Sequence, residues 1–198
     1  MSKQFKKAFK YIKKQLNNEF LQELSDKCIS INTYCKGEGC GLLSGCLIDM
    51  YITNFFKKIL NPKYYKIFHK GECDMKIYEV PFSFKKITGK TCIALDWSKN
   101  NENFQKDYFT NDIIIINLKS GMWWKKNNNK YINAGIYFIN KEYCLQNIKL
   151  SSNNKTNSLI SDVFVYNMLL DCIEKNNFIL IPEHKKLFVF DILNAFND

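Results

Sequence analysis

Residues 71–101 read GECDMKIYEVPFSFKKITGKTCIALDWSKNN, and this stretch decides which fold the chain can adopt. Apolar residues alternate with polar ones over 73–77 and 81–87, and a third apolar run covers 91–97. Such alternation is typical of β-strands that bury one face. We therefore expect three neighbouring strands, with the sequence TGK forming the turn between the second and the third.

The polar side chains of these strands fall on shared faces. Because alternate residues of a strand point the same way, Glu72, Asp74 and Lys76 share one face, opposite an apolar face. Ser83 and Lys85 share a face of the next strand. A hairpin between the two strands would bring Asp74 opposite Ser83 and Lys85.

Helical patterns stand before and after this block of strands. Apolar residues recur every three or four positions over 3–25 and predict an amphipathic helix with a lysine-rich opposite face. Residues 42–60 predict a second helix, which ends before the pair Asn61-Pro62. A third helix is expected from about Leu159, after a polar loop.

The later strands complete a sheet. The run DIIIINL at 112–118 is apolar on both faces, which is typical of a central buried strand. The order of elements predicts an α/β (α+β) fold, in which helices flank a central mixed β-sheet. Other strands are expected at 133–140, 177–182 and 186–193.

Length and composition indicate a globular protein. The chain has 198 residues, of which 46% are hydrophobic, so it can bury a substantial core without disulfides or a structural metal. We expect a single domain over 1–198, with an N-terminal helix and a glycine-rich loop in 1–40 and the core in 41–198.

The charge favours a polyanionic partner. The formal net charge is +10, and every one of the 29 basic residues is lysine. Lysine, asparagine and isoleucine are so frequent that part of this charge reflects an AT-rich coding sequence. The excess still favours nucleic acid or an anionic membrane surface as the partner.

The cysteines and the N-terminus favour a cytoplasmic protein. None of the eight cysteines forms a CxxC pair, and their spacing matches no zinc motif, so we expect reduced, buried thiols. No secretion signal and no membrane span are predicted, because charged and polar residues interrupt every long apolar stretch.

Carboxylates and a lysine converge in the predicted strands. Asp74 and Asp96 are the candidate metal ligands, since carboxylates suit Mg²⁺, a hard cation that prefers oxygen. Bound Mg²⁺ activates water and stabilises charge on a phosphate. Lys85 would orient that water or neutralise the phosphate. The set predicts metal-assisted hydrolysis of phosphodiester bonds.

The same residues have a simpler interpretation. Asp74 can be an ordinary surface residue, Lys85 part of a solvated lysine pair, and Asp96 a helix cap. A rival grouping, Asp112 with Asn117 and Lys119, is expected to be structural, because Asp112 and Lys119 fall on opposite faces of one strand.

The hairpin residues resemble a known catalytic motif. Asp74, followed nine residues later by Ser83-Phe84-Lys85, resembles the core of the PD-(D/E)XK nucleases, the superfamily that contains most type II restriction endonucleases. Ser83 stands where that family has a second acidic residue. By analogy with a subgroup that also has serine there, Asp96 is expected to supply the missing carboxylate, with Glu102 as second choice.

The resemblance implies a Mg²⁺-dependent type II restriction endonuclease with a restriction-endonuclease-like fold. Its catalytic residues would be Asp74, Ser83, Lys85 and Asp96, with Asp74 and Asp96 as metal ligands. The implied substrate is a short specific sequence in double-stranded DNA. A homodimer, which matches a palindromic site, and a cognate DNA methyltransferase of the same system are the implied partners.

A polar loop is the candidate DNA contact. The segment at 149–158 reads KLSSNNKTNS; asparagine can pair with adenine, while lysine and serine can bind phosphates. A plain solvated loop is the alternative interpretation. The candidate contact residues are Lys149, Ser152, Asn153, Asn154, Lys155 and Asn157.

Two other functions stay open on the sequence. The run YINAGIYFIN at 131–140 is faintly similar to the later half of nucleotidyltransferases, although a glycine-rich phosphate loop at the end of a first strand is missing. A non-catalytic nucleic-acid-binding protein would need the lysines and aromatic residues, but would not need Asp74, Lys85 or Asp96.

Overall fold

A β-sheet separates the described helices into two layers. The computed structural model describes residues 2–35, 40–68, 73–87, 93–94, 111–118, 132–147, 159–160 and 162–182. The helices are α1 (Lys3–Gln15), α2 (Asn18–Tyr34), α3 (Cys40–Ile59), α4 (Lys141–Asn147) and α5 (Asp162–Glu174). The strands are β1 (Tyr65–Ile67), β2 (Met75–Ile77), β3 (Val80–Ile87), β4 (Ile93–Ala94), β5 (Asp112–Asn117), β6 (Gly135–Ile139), β7 (Leu159–Ile160) and β8 (Phe178–Leu180).

The first helical segment differs from the prediction. In place of one helix over 3–25, α1 ends at Leu16, which is extended, with φ −88° and ψ 124°. The Asn17 side chain then accepts a hydrogen bond from the Phe20 N–H at 2.8 Å and starts α2. Because the apolar stripe continues across this break, periodicity alone could not separate the two helices. The second predicted helix is confirmed as α3.

The principal sheet is mixed, as the order of elements predicted. Its strands lie in the order β1-β2-β3-β5-β6-β8, and β4 pairs with β7 in a separate small sheet. The hairpin is antiparallel, with Met75 opposite Phe82. Strand β3 then runs parallel to β5, and β6 and β8 follow as antiparallel neighbours. The predicted hairpin and the α/β class with flanking helices are therefore confirmed.

Two hydrophobic cores lie on opposite faces of this sheet. Helices α1, α2 and α3 cover one face, where Phe82, Phe84 and Ile114 are fully buried. Helix α5 covers the other face, together with Ile113 and Ile115. Every residue of β5 is buried, which is why its sequence is apolar on both faces. The aromatic rings of α1 reach the first core, since the Phe5 ring centroid lies 6.1 Å from that of Phe82.

Short elements departed from the prediction. Strand β1 was not expected, because its three residues are too few to show a pattern. Residues 159 and 160 form β7 rather than the start of a helix, and α5 begins at Asp162. The TGK turn and the expected strand at 186–193 lie outside the described residues.

The described cysteines meet the expectation of buried thiols only in part. Cys28, Cys73, Cys144 and Cys172 are buried free thiols, whereas Cys35 is half-buried and Cys46 is exposed. Burial raises the pKa of the Cys28 and Cys144 thiols to about 12, so both are neutral at physiological pH. Within the described part of the chain, no helix has the length and apolar character that crossing a membrane requires.

Candidate active site

Asp74 lies at the end of the hairpin that is remote from its turn. Its backbone N–H donates a hydrogen bond to the Phe82 carbonyl at 3.0 Å and so extends the pairing beyond β2. Its carboxylate Oδ2 then accepts a hydrogen bond from the Phe84 N–H at 2.6 Å. One carboxylate oxygen thus replaces the backbone acceptor that a longer β2 would have supplied. This bond fixes the orientation of the Asp74 side chain on the sheet.

A cleft of about 320 Å³ opens beside Asp74. One wall is α3, and the other wall is formed by the end of β1 and the start of the hairpin. Asp49 of α3 lines the cleft together with Asp74, so two carboxylates share it. The other lining residues are Met50, Thr53, Asn54, Lys57, Ile67 and Phe68.

Asp49 is partly buried among charged neighbours. Burial raises the pKa of its carboxyl to about 6 from 3.8, the positive charges of Lys85 and Lys86 oppose this rise, and the negative charge of Asp74 adds to it. The two carboxylates and Lys85 are therefore close enough for their charges to interact. Burial beside a second carboxylate disfavours the ionised form of Asp49, and a bound cation would favour it.

The two adjacent lysines of β3 have different surroundings. Lys86 donates a hydrogen bond from Nζ to Ser44 Oγ of α3 at 2.8 Å, and burial lowers its pKa. Lys85 alternates with it along the strand, and of the two lysines its charge has the larger effect on Asp49. Lys86 is thus tied to the packing of α3 on the sheet. Of the two lysines, Lys85 is the one whose charge acts more strongly on Asp49.

Ser83 makes a neutral contact at the position where the resemblance has an acid. Its Oγ accepts a hydrogen bond from the side-chain amide of Asn111 at 3.2 Å. Asn111 directly precedes β5, which is parallel to β3, so the sheet pairing brings the two residues together. The Ser83 hydroxyl keeps its own proton for a further donor contact. It adds no negative charge to the site.

The residues around the cleft fit a hard divalent cation that takes few of its ligands from the protein. Asp49 and Asp74 supply carboxylate oxygens, and Mg²⁺ commonly takes one or two carboxylates and keeps several waters. Among the described residues, no group of three or more His, Cys, Asp or Glu side chains could hold a metal ion. Two carboxylates would leave most of the coordination of such an ion to water.

Several predicted site residues cannot be compared with this geometry. Asp96, the expected second ligand, and Glu102, its alternative, lie outside the described residues. The whole candidate DNA-contacting loop at 149–158 lies outside them as well. Of the four predicted catalytic residues, the described ones are Asp74, Ser83 and Lys85, and they lie on the two strands of one hairpin.

The rival grouping around β5 makes structural contacts. Asp112 Oδ1 accepts hydrogen bonds from the Lys141 N–H at 2.7 Å and from the Asn140 side chain at 3.2 Å. It therefore joins β5 to the start of α4. The fully buried Asn117 donates from its side chain to the Asn133 carbonyl at 2.9 Å. Both side chains connect elements of the fold.

Asp49 is the site residue that the sequence interpretation missed. It stands in the apolar run GLLSGCLIDMY at 41–51 and was not among the predicted site residues. A single carboxylate inside an apolar helix is itself a signal, because burying an unpaired charge is costly. Sequence alone could not show that this face of α3 meets the hairpin.

No protein-family model matches the sequence, and no match is found among curated proteins. A comparison with solved structures finds a chain described as "Restriction endonuclease in complex with substrate DNA". It is 14% identical, with a TM-score of 0.48, and the match covers 89% of this chain and 98% of the other. With a TM-score below 0.5, this similarity is no evidence for a shared site, and the chemistry has to be inferred from the residues of the cleft.

Proposed function

We propose that this protein is a Mg²⁺-dependent endonuclease that hydrolyses phosphodiester bonds of double-stranded DNA at a short specific sequence. The observation that carries the proposal is the pairing of Asp49 and Asp74 in one cleft, with Lys85 interacting electrostatically with Asp49. The net charge of +10 supports a nucleic acid as the substrate. The motif that the hairpin resembles supports the same reaction class.

The chain's own residues have distinct tasks in this proposal. Asp74 and Asp49 hold the cation, and the hydrogen bond from the Phe84 N–H keeps Asp74 oriented for it. Mg²⁺ in such a site lowers the pKa of a bound water and stabilises the negative charge that develops on the phosphate. Lys85 orients the attacking water or neutralises the scissile phosphate. Lys86 holds α3, and with it Asp49, against the sheet through Ser44.

Two predicted residues complete the proposal. Ser83, held by Asn111, would contribute a neutral hydroxyl with a proton to donate, in place of a second carboxylate. Asp96 remains the proposed additional carboxylate ligand. The loop at 149–158, with Lys149, Ser152 and Asn153 among its residues, remains the proposed reader of the DNA sequence.

A homodimer is part of the proposal, because two copies related by a two-fold axis match a palindromic site. An exposed apolar stripe on α3 supports it: Leu43 is 54% exposed, Leu47 38% and Met50 62%. These residues recur every three or four positions, and Met50 also lines the cleft. A second copy bound there would bring two clefts near each other. A companion DNA methyltransferase is expected from the same class of function.

The deciding experiment is incubation of the purified protein with unmethylated phage DNA in Mg²⁺ and in EDTA, analysed on a gel. We expect discrete fragments in Mg²⁺ only. Asp74→Asn and Lys85→Met should abolish them, while Asp171→Asn, a change in an exposed ion pair of α5, should not. Random degradation would contradict the site-specific part of the proposal. DNA that is bound but never cut, on several unmethylated DNAs, would favour the non-catalytic binding protein.

The dimer is tested separately by the molar mass in solution. Leu47→Lys places a charge in the stripe and should convert a dimer to a monomer while leaving the melting temperature of the subunit unchanged. Lys27→Glu, on the exposed surface of α2, is the matched control. A wild-type protein that is monomeric at every concentration tested, with and without DNA, would contradict this part of the proposal.

A further inference from the structure

The outer face of α1 is a continuous row of lysines. All six lysines of the helix are exposed, and α1 contains no acidic residue. At 100° per residue they fall within about a third of the helix circumference, opposite the face that buries Phe5, Phe9 and Ile12. The six are Lys3, Lys6, Lys7, Lys10, Lys13 and Lys14.

Nothing in the described part of the chain neutralises this row. The described ion pairs are Lys58–Glu23 and Lys175–Asp171, and neither involves α1. Lys3 and Lys6 stand in the first turns of the helix, where the helix dipole disfavours positive charge. The arrangement is thus unfavourable within the fold itself, and an external anion would relieve it.

The row continues into a second cavity at the turn of the hairpin. This cavity has a volume of about 450 Å³ and lies between α1, the segment before β1 and the β2–β3 turn. Lys7 connects it to the row, and Lys63, Lys66 and Lys76 also line it. Among the described residues that line it, Glu79 is the one acidic residue. We call these nine lysines, the six of α1 together with Lys63, Lys66 and Lys76, the lysine surface.

Tyrosines hold the turn side of the lysine surface in shape. Tyr78 and Tyr64 stack at 4.8 Å, and Tyr11 meets Tyr78 edge-on at 5.1 Å. Lys7 Nζ lies 4.4 Å from the centre of the Tyr78 ring. Tyr78 and Glu79 have φ of 50° and 64°, values that favour glycine or asparagine. The turn therefore holds two residues with side chains in a strained backbone conformation.

The lysine surface adjoins the candidate active site. Lys76 Nζ lies 4.7 Å from the centre of the Phe68 ring, and Phe68 lines the catalytic cleft. Along the hairpin, Tyr78 is four residues from Asp74, a span of about 13 Å in an extended strand. A single duplex is wide enough to contact both places at once.

We propose that the lysine surface binds the phosphodiester backbone of nucleic acid, independently of sequence, next to the phosphodiester bond that is cut. We assign the partner to a polyphosphate for two reasons. The lysine side chains are point charges, which suit phosphates. The stacked rings of Tyr64 and Tyr78 cover each other's faces, which leaves these tyrosines unsuited to stacking on bases. The choice of duplex DNA rests on the proposed function. The binding itself does not require cleavage.

The test is the salt dependence of binding to a duplex of about 20 base pairs of arbitrary sequence, measured by fluorescence anisotropy in EDTA. The slope of log K against log salt falls by about 0.9 for each phosphate that the protein no longer neutralises. Lys6→Gln/Lys10→Gln should therefore reduce the slope by about 1.8 and weaken binding at least tenfold near 0.1 M salt. The matched control, Lys27→Gln/Lys175→Gln, removes the same charge from α2 and from the turn that follows α5.

The outcomes separate this proposal from the proposed function. Equal reductions of the slope in the two double variants would overturn the lysine surface, since only net charge would then matter. Lysine-dependent binding to vesicles rich in phosphatidylserine, without binding to the duplex, would also overturn it. Lysine-dependent binding by a protein that never cuts DNA would support the lysine surface and contradict the nuclease. If Lys6→Gln/Lys10→Gln binds and cuts DNA as well as wild type, the nuclease would be supported and the lysine surface contradicted.

Discussion

The carboxylate of Asp74 accepts a hydrogen bond from the backbone N–H of Phe84 at 2.6 Å, across the two strands of the hairpin. The same side chain therefore has a structural bond and a place in the cleft. Asparagine at position 74 can keep the bond through its carbonyl oxygen but carries no charge for a cation. We expect Asp74→Asn to lower Mg²⁺-dependent cleavage by about 10³-fold while the melting temperature stays within a few degrees.

Asp74→Ala is the contrasting variant. It should lose the same activity and in addition about 1–3 kcal/mol of stability, because the Phe84 N–H loses its acceptor. Thermal unfolding followed by circular dichroism, beside a cleavage assay, separates the two effects. Equal activity in wild type and Asp74→Asn would remove Asp74 from the site.

Asp49 should affect stability and activity in opposite directions. Its carboxylate is partly buried and lies near the negative charge of Asp74, so its ionised form is unfavourable in the free protein. We expect Asp49→Asn to stabilise the fold by about 1 kcal/mol at pH 7.5 and to lower cleavage by at least 100-fold. Chemical denaturation and the gel assay measure the two quantities. A variant that is less stable and fully active would show that Asp49 is only a packing residue.

The two neighbouring lysines should separate chemistry from packing. Lys85→Met should abolish cleavage with little change in stability, because the proposed role of Lys85 is in the chemistry and its charge acts on Asp49. Lys86→Met should cost about 1 kcal/mol of stability, because its hydrogen bond to Ser44 disappears, and should reduce cleavage by less than tenfold. Isothermal titration with Ca²⁺, a non-activating cation, adds a binding measurement for both variants. The reversed pattern would assign the catalytic role to Lys86.

Asp112 should make stability depend on pH. Burial raises its pKa to about 6 from 3.8, while the hydrogen bond from the Lys141 N–H and the Lys141 charge oppose the rise. Because the folded pKa is the higher one, the folded state binds more protons between pH 4 and 6. The contribution of Asp112 to stability therefore improves as the pH falls from 7 towards 4.

Asp112→Asn keeps an oxygen acceptor but removes the charge. We expect this variant to be more stable than wild type at pH 8, by roughly 2 kcal/mol, and the difference to vanish near pH 4. Urea unfolding at several pH values measures this difference. A constant difference for Asp112→Asn would show that its carboxylate is not desolvated.

Gly135 begins β6 and lies against the neighbouring strand. A Cβ added there would come within 2.8 Å of the Ile179 carbonyl oxygen, a distance that backbone atoms cannot relieve by a rotamer change. We expect Gly135→Ala to destabilise the fold by about 1–3 kcal/mol, as overpacking does. Gly45→Ala, in α3, is the control, since its added Cβ would meet no atom within 4 Å. Thermal melting of both variants compares a crowded glycine with an open one.

Much of the sheet followed from local pattern. The alternation of apolar and polar residues over 73–87 predicted the hairpin, because alternation indicates strands that are buried on one face. The continuous apolar run at 112–118 predicted a strand that is buried on both faces. The break at Leu16 and Asn17 was not predicted, since the buried stripe of α1 resumes in α2 without a change of pattern. Strand β1 was missed because three residues carry too little signal.

The sequence by itself determined the residue types of the site: an aspartate before one strand, and a serine and a lysine two residues apart on the next. Only the tertiary structure decided that Asp49, 25 residues before Asp74 in the chain, lines the same cleft as Asp74. It also decided that Asn111 holds Ser83 and that Lys86 is tied to α3. The reason is physical: strand alternation is a local property of the chain, whereas the meeting of a helix with a sheet depends on which apolar faces pack together.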